Sequence, residues 1–322
     1  MPRYLAFAVL LSICAALVPP QALAQTFPSQ RVTVIIPFPP GGPTDLIPRL
    51  MAPGLEELWG QSIVLDYHPG AAGSIGAAHM GRANPDGHTL LFTGEGTVAT
   101  VLFVREATFN LARDSKPLTS VTSTPYLIVA PPQVPVKSLK EFIAYAKGRA
   151  AQMNWATIEN SNYHLDQTEF FQKAGLGNMV SVPYPGAAAA TTAVLRNDVQ
   201  IYFGAAFGLA SYIADGKLTP LAVTSAERYS RMPNVPTVRE SGFEYVRGFG
   251  FGYFAPAGIS DALATRIARD IVAVAKRPEV SGKLTSMGFD VVTSEPNQYK
   301  AQVEAMYNKY VEIANRLGIK PQ

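Results

Sequence analysis

Short β-branched runs that end in glycine- or proline-rich loops, each followed by a helical pattern, constrain this chain more than any other feature of its sequence. Val32–Ile36 is the first such run and stops at Pro37, and residues 63–65, 90–92, 126–130, 201–203 and 221–223 read the same way. Helical patterns lie between them; Ser138 and Glu141 frame a capping box ahead of Phe142, Ile143 and Ala146. This alternation predicts an α/β fold with parallel sheets built from β–α–β units. The C-terminal part reads as helix apart from a short stretch at residues 290–292. One stripe there is Leu263, Ile267, Ile271 and Val274, with Arg266, Arg269 and Asp270 opposite, and a second is Tyr299, Val303, Met306, Tyr310 and Ile313. Both are expected to face a core. Pro48 is compatible with the first turn of the helix after residue 42, whereas Pro53 should kink or end it. A chain of 322 residues is too long for one small core and suits two lobes.

Three loops at predicted strand ends are where chemistry belongs. The first holds Pro37, Phe38, Pro39, Pro40, Gly41, Gly42, Pro43, Thr44 and Asp45. The second runs from Pro69 and Gly70 through Ala71, Ala72, Gly73 and Ser74 to Gly76, and the third is Thr93, Gly94, Glu95, Gly96 and Thr97. Glycines let the backbone approach a ligand, and a helix starting just afterwards aims its unpaired N–H groups at it. In open α/β sheets such strand ends meet in one crevice. Neither Gly-x-Gly-x-x-Gly nor a Gly-Lys-Ser/Thr phosphate loop occurs, so no nucleotide cofactor is expected.

The N-terminus reads as a cleaved leader over residues 1–24. Arg3 precedes an apolar run over residues 5–18, Pro19 and Pro20 break it, and Ala22, Leu23 and Ala24 form a signal-peptidase site before Gln25. The run is shorter than the roughly 20 residues that span a bilayer. Cys14, the one cysteine, lies inside that run, so the mature chain has no disulfide, no thiol nucleophile and no cysteine metal ligand. The four histidines (His68, His79, His88 and His164) show no metal-ligand spacing, and no metal is expected. With 27 basic and 24 acidic residues interspersed, neither nucleic acid nor an anionic membrane surface is an expected partner.

The run over residues 34–45 resembles the opening motif of the periplasmic substrate-binding proteins of tripartite tricarboxylate transporters, the Bug family. The similarity continues in order through residues 69–73 with Ile75 and Gly76, then 85–91, then Val182, Pro183 and Tyr184 with Gly186, then 221–225, 233–237 and 254–258. The resemblance implies two Rossmann-like lobes of the type II periplasmic binding protein arrangement, with a ligand cleft between them. It places residues 25–125 and 249–322 in one lobe and 126–248 in the other. It also implies a monomer, without cofactor, that closes on a small organic acid in the periplasm and presents it to membrane permease subunits. In relatives, as the resemblance implies, the carboxylate is held mainly by backbone amides and bridging waters of the first two glycine loops, with the segment matching residues 184–190 here, including Tyr184, Gly186, Ala187 and Ala188, contributing from the other lobe. On this chain the expected amide donors are those of Gly41, Gly42, Gly73, Ser74 and Gly186 to Ala188, with the hydroxyls of Thr44 and Tyr184 assisting.

Several positions depart from the family pattern. Pro40 stands where relatives have alanine, Ala72 replaces a glycine, and Glu95 replaces a small residue. Because a carboxylate beside an anion repels it, Glu95 is expected to point to solvent, the alternative being a ligand that carries an amide, hydroxyl or ammonium group donating to it. Asn160, Ser161, Asn162, Tyr163 and His164 replace a Gly-Ser type loop, and Gly204 stands where many relatives carry an aspartate, a change expected to suit a bulkier or purely acidic ligand, with close packing the alternative. Phe38, Tyr163, Tyr184, Phe203, Phe207 and Phe249 are candidates for an aromatic lining, with core packing the alternative for each. An enzyme is the less favoured reading. Ser161, His164 and Asp166 hold the residue types of a hydrolase triad, but lie closer in sequence than the usual arrangement of separate elements.

Overall fold

The computed structural model describes residues 27–103, 109–158 and 161–319. The leader and Asn160 therefore lie outside the described residues. Ten strands follow the chain: β1 (Val32–Ile36), β2 (Ile63–Tyr67), β3 (Thr89–Gly94), β4 (Ser115–Ala130), β5 (Asn154–Ile158), β6 (Val180–Tyr184), β7 (Ile201–Ala205), β8 (Thr219–Val223), β9 (Gly248–Pro256) and β10 (Asp290–Val291). They lie in the order β2-β1-β3-β9-β4-β7-β5-β6, with β8 and β10 also on β4.

This path is two sheets joined by one strand. From Ser115 to Pro125, β4 runs antiparallel to β9, which in turn pairs with β3. From Tyr126 onward the same strand pairs with β7 and β8. Parallel pairing holds only within each half, as β2-β1-β3 and as β6-β5-β7. The expected parallel units are present within each half, and the long strands β4 and β9 enter antiparallel, which the alternation did not predict.

The helices are α1 (Pro43–Trp59), α2 (Ser74–Gly81), α3 (Leu111–Asp114), α4 (Leu139–Ala146), α5 (Asn162–Lys173), α6 (Ala187–Leu195), α7 (Ala206–Ala214), α8 (Asp261–Ala275), α9 (Pro278–Ser286) and α10 (Pro296–Leu317). Short 3-10 turns occupy Ala71–Gly73, Glu95–Leu102 and Ala150–Gln152. The α8 and α10 stripes face the core, with Ile267, Ile271, Val274, Tyr299, Val303, Tyr310 and Ile313 buried. Pro53 neither ends nor divides α1. It lies on the exposed face, where the Arg49 carbonyl it deprives of a partner can be hydrated. The opposite face buries Ile47, Met51, Leu55 and Trp59, and Gly54 admits the Val274 side chain. Tertiary packing outweighs the proline penalty. Among the described residues no helix is long and apolar enough to cross a membrane.

β9 reads poorly as a strand because Gly248, Gly250 and Gly252 alternate through it, and glycine is depleted in strands. Gly250 and Gly252 each have a packing reason. A Cβ on Gly250 would lie 2.6 Å from a Glu95 carboxylate oxygen, and one on Gly252 would collide with the Tyr299 hydroxyl. The alternate residues Phe249, Phe251 and Tyr253 are buried. One face of β9 is therefore kept bare for polar side chains arriving from elsewhere, while the other fills a core.

Candidate ligand-binding site

The first glycine loop is organised by Asp45 rather than offered through it. Gly42 caps α1 without a side-chain bond, and Asp45, in the first turn, turns back to accept the Gly41 N–H at 2.8 Å. The same carboxylate accepts from Tyr67 Oη at 2.6 Å and from Arg49 at 2.7 Å. Burial pushes its pKa up, but Tyr67, the Gly41 amide and Arg49 together hold it below the usual carboxylate range. Asp45 is only 4% exposed, so it positions the loop and is not a ligand contact. Thr44 is buried beside it, whereas Pro40 and Gly41 are exposed and Phe38 and Gly42 partly so.

The second loop is a strained turn. Gly70, Ala71, Ala72 and Gly73 carry φ of 127°, 45°, 50° and 96° in succession. A left-handed conformation at a residue with a Cβ costs about 1–2 kcal/mol, and Ala71 and Ala72 both adopt it. Ala72 therefore keeps the backbone path that a glycine would favour. The turn closes on itself: the Gly73 N–H donates to Gly70 O at 3.0 Å, and the Ser74 N–H donates to Ala71 O.

These bonds correct the expected donor set. The amides of Gly41, Gly73 and Ser74 are engaged within their own loops. By helix geometry the N–H groups of Gly42 and Thr44 at the start of α1 have no intrahelical partner, and those of Gly186, Ala187 and Ala188 at the start of α6 share that property. Gly186 caps α6 with an extended backbone and no side-chain bond, has open space beside it, and Ala187 and Ala188 are exposed. Tyr184, at the end of β6, is partly exposed just before that cap.

The third loop locks the other two together. The Thr93 and Thr97 hydroxyls bond at 2.8 Å, and Thr100 Oγ1 donates to Ala72 O at 3.2 Å. A Cβ on Gly73 would lie 3.2 Å from both the Phe38 ring and the Thr97 methyl, so all three loops meet at that glycine. Thr93, fully buried, is a strut of this junction rather than a ligand contact. Glu95 does not point to solvent. Its carboxylate lies over Gly250, with the Gly250 amide and the Tyr299 hydroxyl beside it, and burial without a cationic neighbour raises its pKa from 4.5 to about 7. The bare face of β9 makes this inward orientation sterically available.

Across from these loops stands the start of α5. Ser161 caps it and directs its hydroxyl to Ile158 O, while the Asn162 side chain fills the space over Gly96 and donates to Tyr126 Oη at 3.0 Å. Tyr126, Tyr163 and Phe249 form an aromatic group nearby, with ring centroids 5.0–5.8 Å apart. Phe249 is 7% exposed within it. Phe203 does not line an opening: it is buried against Phe170 and Phe171. Phe207 packs on Phe289. Gly204 leaves no spare room, since a Cβ there would come within 2.7 Å of Leu209 and 2.6 Å of the Tyr202 ring. Its absence of side chain serves close packing.

Sequence reasoning missed a charged seam. Asp166 and Glu169 on α5 are buried and both meet Arg247, with Arg247 Nε 3.0 Å from Asp166 Oδ1. Tyr245 Oη donates to the Asp166 carbonyl at 2.9 Å, and Tyr310 Oη of α10 reaches the Asp166 carboxylate at 3.3 Å. Burial raises the Asp166 pKa to about 6 against the pull of Arg247. Burial also works against Glu169, but Arg247 and Lys173 outweigh it and hold that carboxyl low. The sequence signal was the spacing of two acids on one face of a helix, legible only once that face is known to be inward.

Ser161, His164 and Asp166 form no relay. Ser161 donates to a carbonyl, His164 stacks on Trp155 with Nδ1 3.5 Å from Thr157 Oγ1, and Asp166 belongs to the seam. A further depression of about 650 Å³, lined by Phe27, Pro85, Asp86, Gly258 and Arg266 among others, contains residues of none of the three loops.

Two α/β halves sharing a crossing strand, with three glycine loops meeting at Gly73 opposite the start of α5, define a two-lobed solute-binding protein. Residues 47–319 match the model of the tripartite tricarboxylate transporter family receptor, and the chain belongs to that family. It is 28% identical to Protein BugT of Bordetella pertussis over 301 residues, covering 92% of each chain. Among solved structures it is similar to R. palustris Rpa4515 with adipate, at 27% identity and a TM-score of 0.81, covering 92% of this chain and all of that one. MatC from Rhodopseudomonas palustris with bound malate gives 27% identity and a TM-score of 0.76, covering 89% and 99%.

Proposed function

We propose that this chain is an exported, non-enzymatic solute-binding protein that closes on a small carboxylate-bearing organic acid and presents it to the permease subunits of a tripartite tricarboxylate-type transporter. The observation that carries this reading is the junction at Gly73, where Phe38 and Thr97 bring three glycine loops to one point opposite the start of α5. The three loops contain no lysine or arginine. Recognition of an anion there falls to backbone dipoles, each helix start contributing about 0.3–1 kcal/mol. The donors are the amides of Gly42, Thr44, Ala71 and Ala72 in one lobe and of Gly186, Ala187 and Ala188 in the other, with the Tyr184 hydroxyl beside them. Ala71 and Ala72 open the 3-10 turn after Gly70, so their amides lack a partner within it. Residues 25–125 with 249–322 make one lobe and 126–248 the other, a division supported by the change of sheet at Tyr126 and the start of β9 at Gly248. The leader over residues 1–24 supports export to the periplasm, and the adipate and malate carried by similar structures support a dicarboxylate.

A thermal-shift screen against adipate, malate and aromatic acids tests this. A ligand at about 100 times its Kd adds about 2.7 kcal/mol of stability. Absence of any shift across the acids, together with turnover of a small ester, would favour the hydrolase instead.

A further inference from the structure

We propose that Asp66, His68 and His79 form a divalent metal site of the zinc, copper or nickel type on the edge of the first sheet. Each of the three offers one ligand atom, and these atoms lie within 4.8 Å of one another. Two of the chain's four histidines are thus brought to one carboxylate, although they stand on different elements.

The fold builds this convergence. β2 is the edge strand, and Asp66 and His68 are two residues apart, which puts both side chains on one face of the sheet. The backbone stays in register past the strand end, because the His68 N–H donates to Ile36 O at 2.9 Å. His79 arrives from α2. Gly76 lets that helix lie directly against the strand ends: a Cβ there would fall 2.7 Å from Pro37 Cβ and 3.1 Å from the His68 carbonyl. One helical turn later the His79 ring stacks on the His68 ring, with centroids 4.0 Å apart and planes at 19°. His68 Nε2 lies 2.8 Å from Asp66 Oδ2. The strand end, the glycine that admits the helix and the stacked rings form one arrangement.

The donor set selects the metal. Two imidazole nitrogens and one carboxylate oxygen suit zinc, copper or nickel; calcium and magnesium prefer all-oxygen shells. Ligands about 2.0–2.2 Å from zinc stand a little over 3 Å from each other, and imidazole lone pairs lie in the ring plane, so the donors must draw together and one ring must turn out of the stack to meet the ion. His79 is exposed and Asp66 and His68 are half-buried, which leaves the rings room to turn and the ion a path in. Three protein ligands leave further coordination positions to water. The spacing of His68 and His79 in sequence hid this cluster, because the strained turn at Gly70 to Gly73 folds back between them.

The test uses the tag-free chain stripped with EDTA, titrated with Zn²⁺ by calorimetry and with Co²⁺ by visible absorbance. One equivalent should bind saturably, and Co²⁺ should develop the intense d–d bands of a four- or five-coordinate site. His79→Ala, which removes an exposed ring, should weaken Zn²⁺ binding at least about tenfold, as should His68→Ala. Asp215→Asn, an exposed acid elsewhere, should leave it unchanged. Absence of saturable uptake by the unaltered chain, or equal uptake by folded His79→Ala, overturns the proposal.

Discussion

The glycine loops and the charged seam solve opposite problems with opposite chemistry. At the loops the backbone is strained and the loop sequences carry no lysine or arginine, the one guanidinium that reaches them, that of Arg49, being held by the buried Asp45 carboxylate. At the seam the buried Asp166 and Glu169 are both bonded to the part-buried Arg247, with Tyr245 and Tyr310 completing the set. A buried ion pair is strongly destabilised when one member is lost, so it suits a place that must not vary. Backbone dipoles hold an anion without leaving a stranded charge when it departs, so they suit a place where a ligand comes and goes.

The largest expected effect breaks the seam. Arg247→Met leaves the Asp166 carboxylate buried without its cation, while Glu169 keeps Lys173 at 3.1 Å, and should destabilise the protein by about 3–5 kcal/mol in denaturant unfolding at neutral pH. A loss below 1 kcal/mol would mean that the seam is solvated and that the contrast with the loops is false.

Glu95 belongs to neither pattern: its carboxyl is turned inward over Gly250 with no cation beside it. Its pKa is 4.5 in the unfolded chain and about 7 in the fold, so the folded state binds the proton more tightly. Stability contributed by this group is present in acid and is lost as pH rises from about 4.5 to about 7. Glu95→Gln should therefore gain up to about 3 kcal/mol at pH 8 and little at pH 4. Unfolding curves at both pH values decide it; an equal effect at both would place the carboxyl in solvent.

Glu95 also shows where the sequence was and was not readable. The helix stripes of α8 and α10 and the three loops were legible, because periodicity and glycine placement are local signals. The inward turn of Glu95 was not, because its cause is the bare face that Gly250 and Gly252 leave on β9, far along the chain. For the same reason β9 itself was hidden: its alternate glycines read as a loop until their visitors are known. The amides of Gly41, Gly73 and Ser74 were expected to meet a ligand, yet Asp45, Gly70 O and Ala71 O engage them. Sequence indicates where N–H groups gather; only geometry says which are already bonded. Gly204 and Phe203 failed through the same ambiguity, since a small or aromatic residue at a strand end serves packing as readily as a cleft.

Within the loops, Ala72→Gly relieves a left-handed alanine at φ 50°. The gain is offset in part by the greater freedom of glycine when unfolded, leaving a net stabilisation of about 0.5–1 kcal/mol. Thermal unfolding should show a small rise in Tm; a fall would mean that the turn relaxes in solution and is not held by Thr100.

Amide ¹H–¹⁵N spectra recorded while adipate, malate or another acid that binds is titrated in test the central claim most directly. The resonances of Gly42, Thr44, Ala71, Ala72 and Gly186 to Ala188 should move most and saturate together. Saturating shifts centred instead on the depression around Phe27 and Arg266, with these seven unmoved, would contradict recognition by the backbone of the glycine loops.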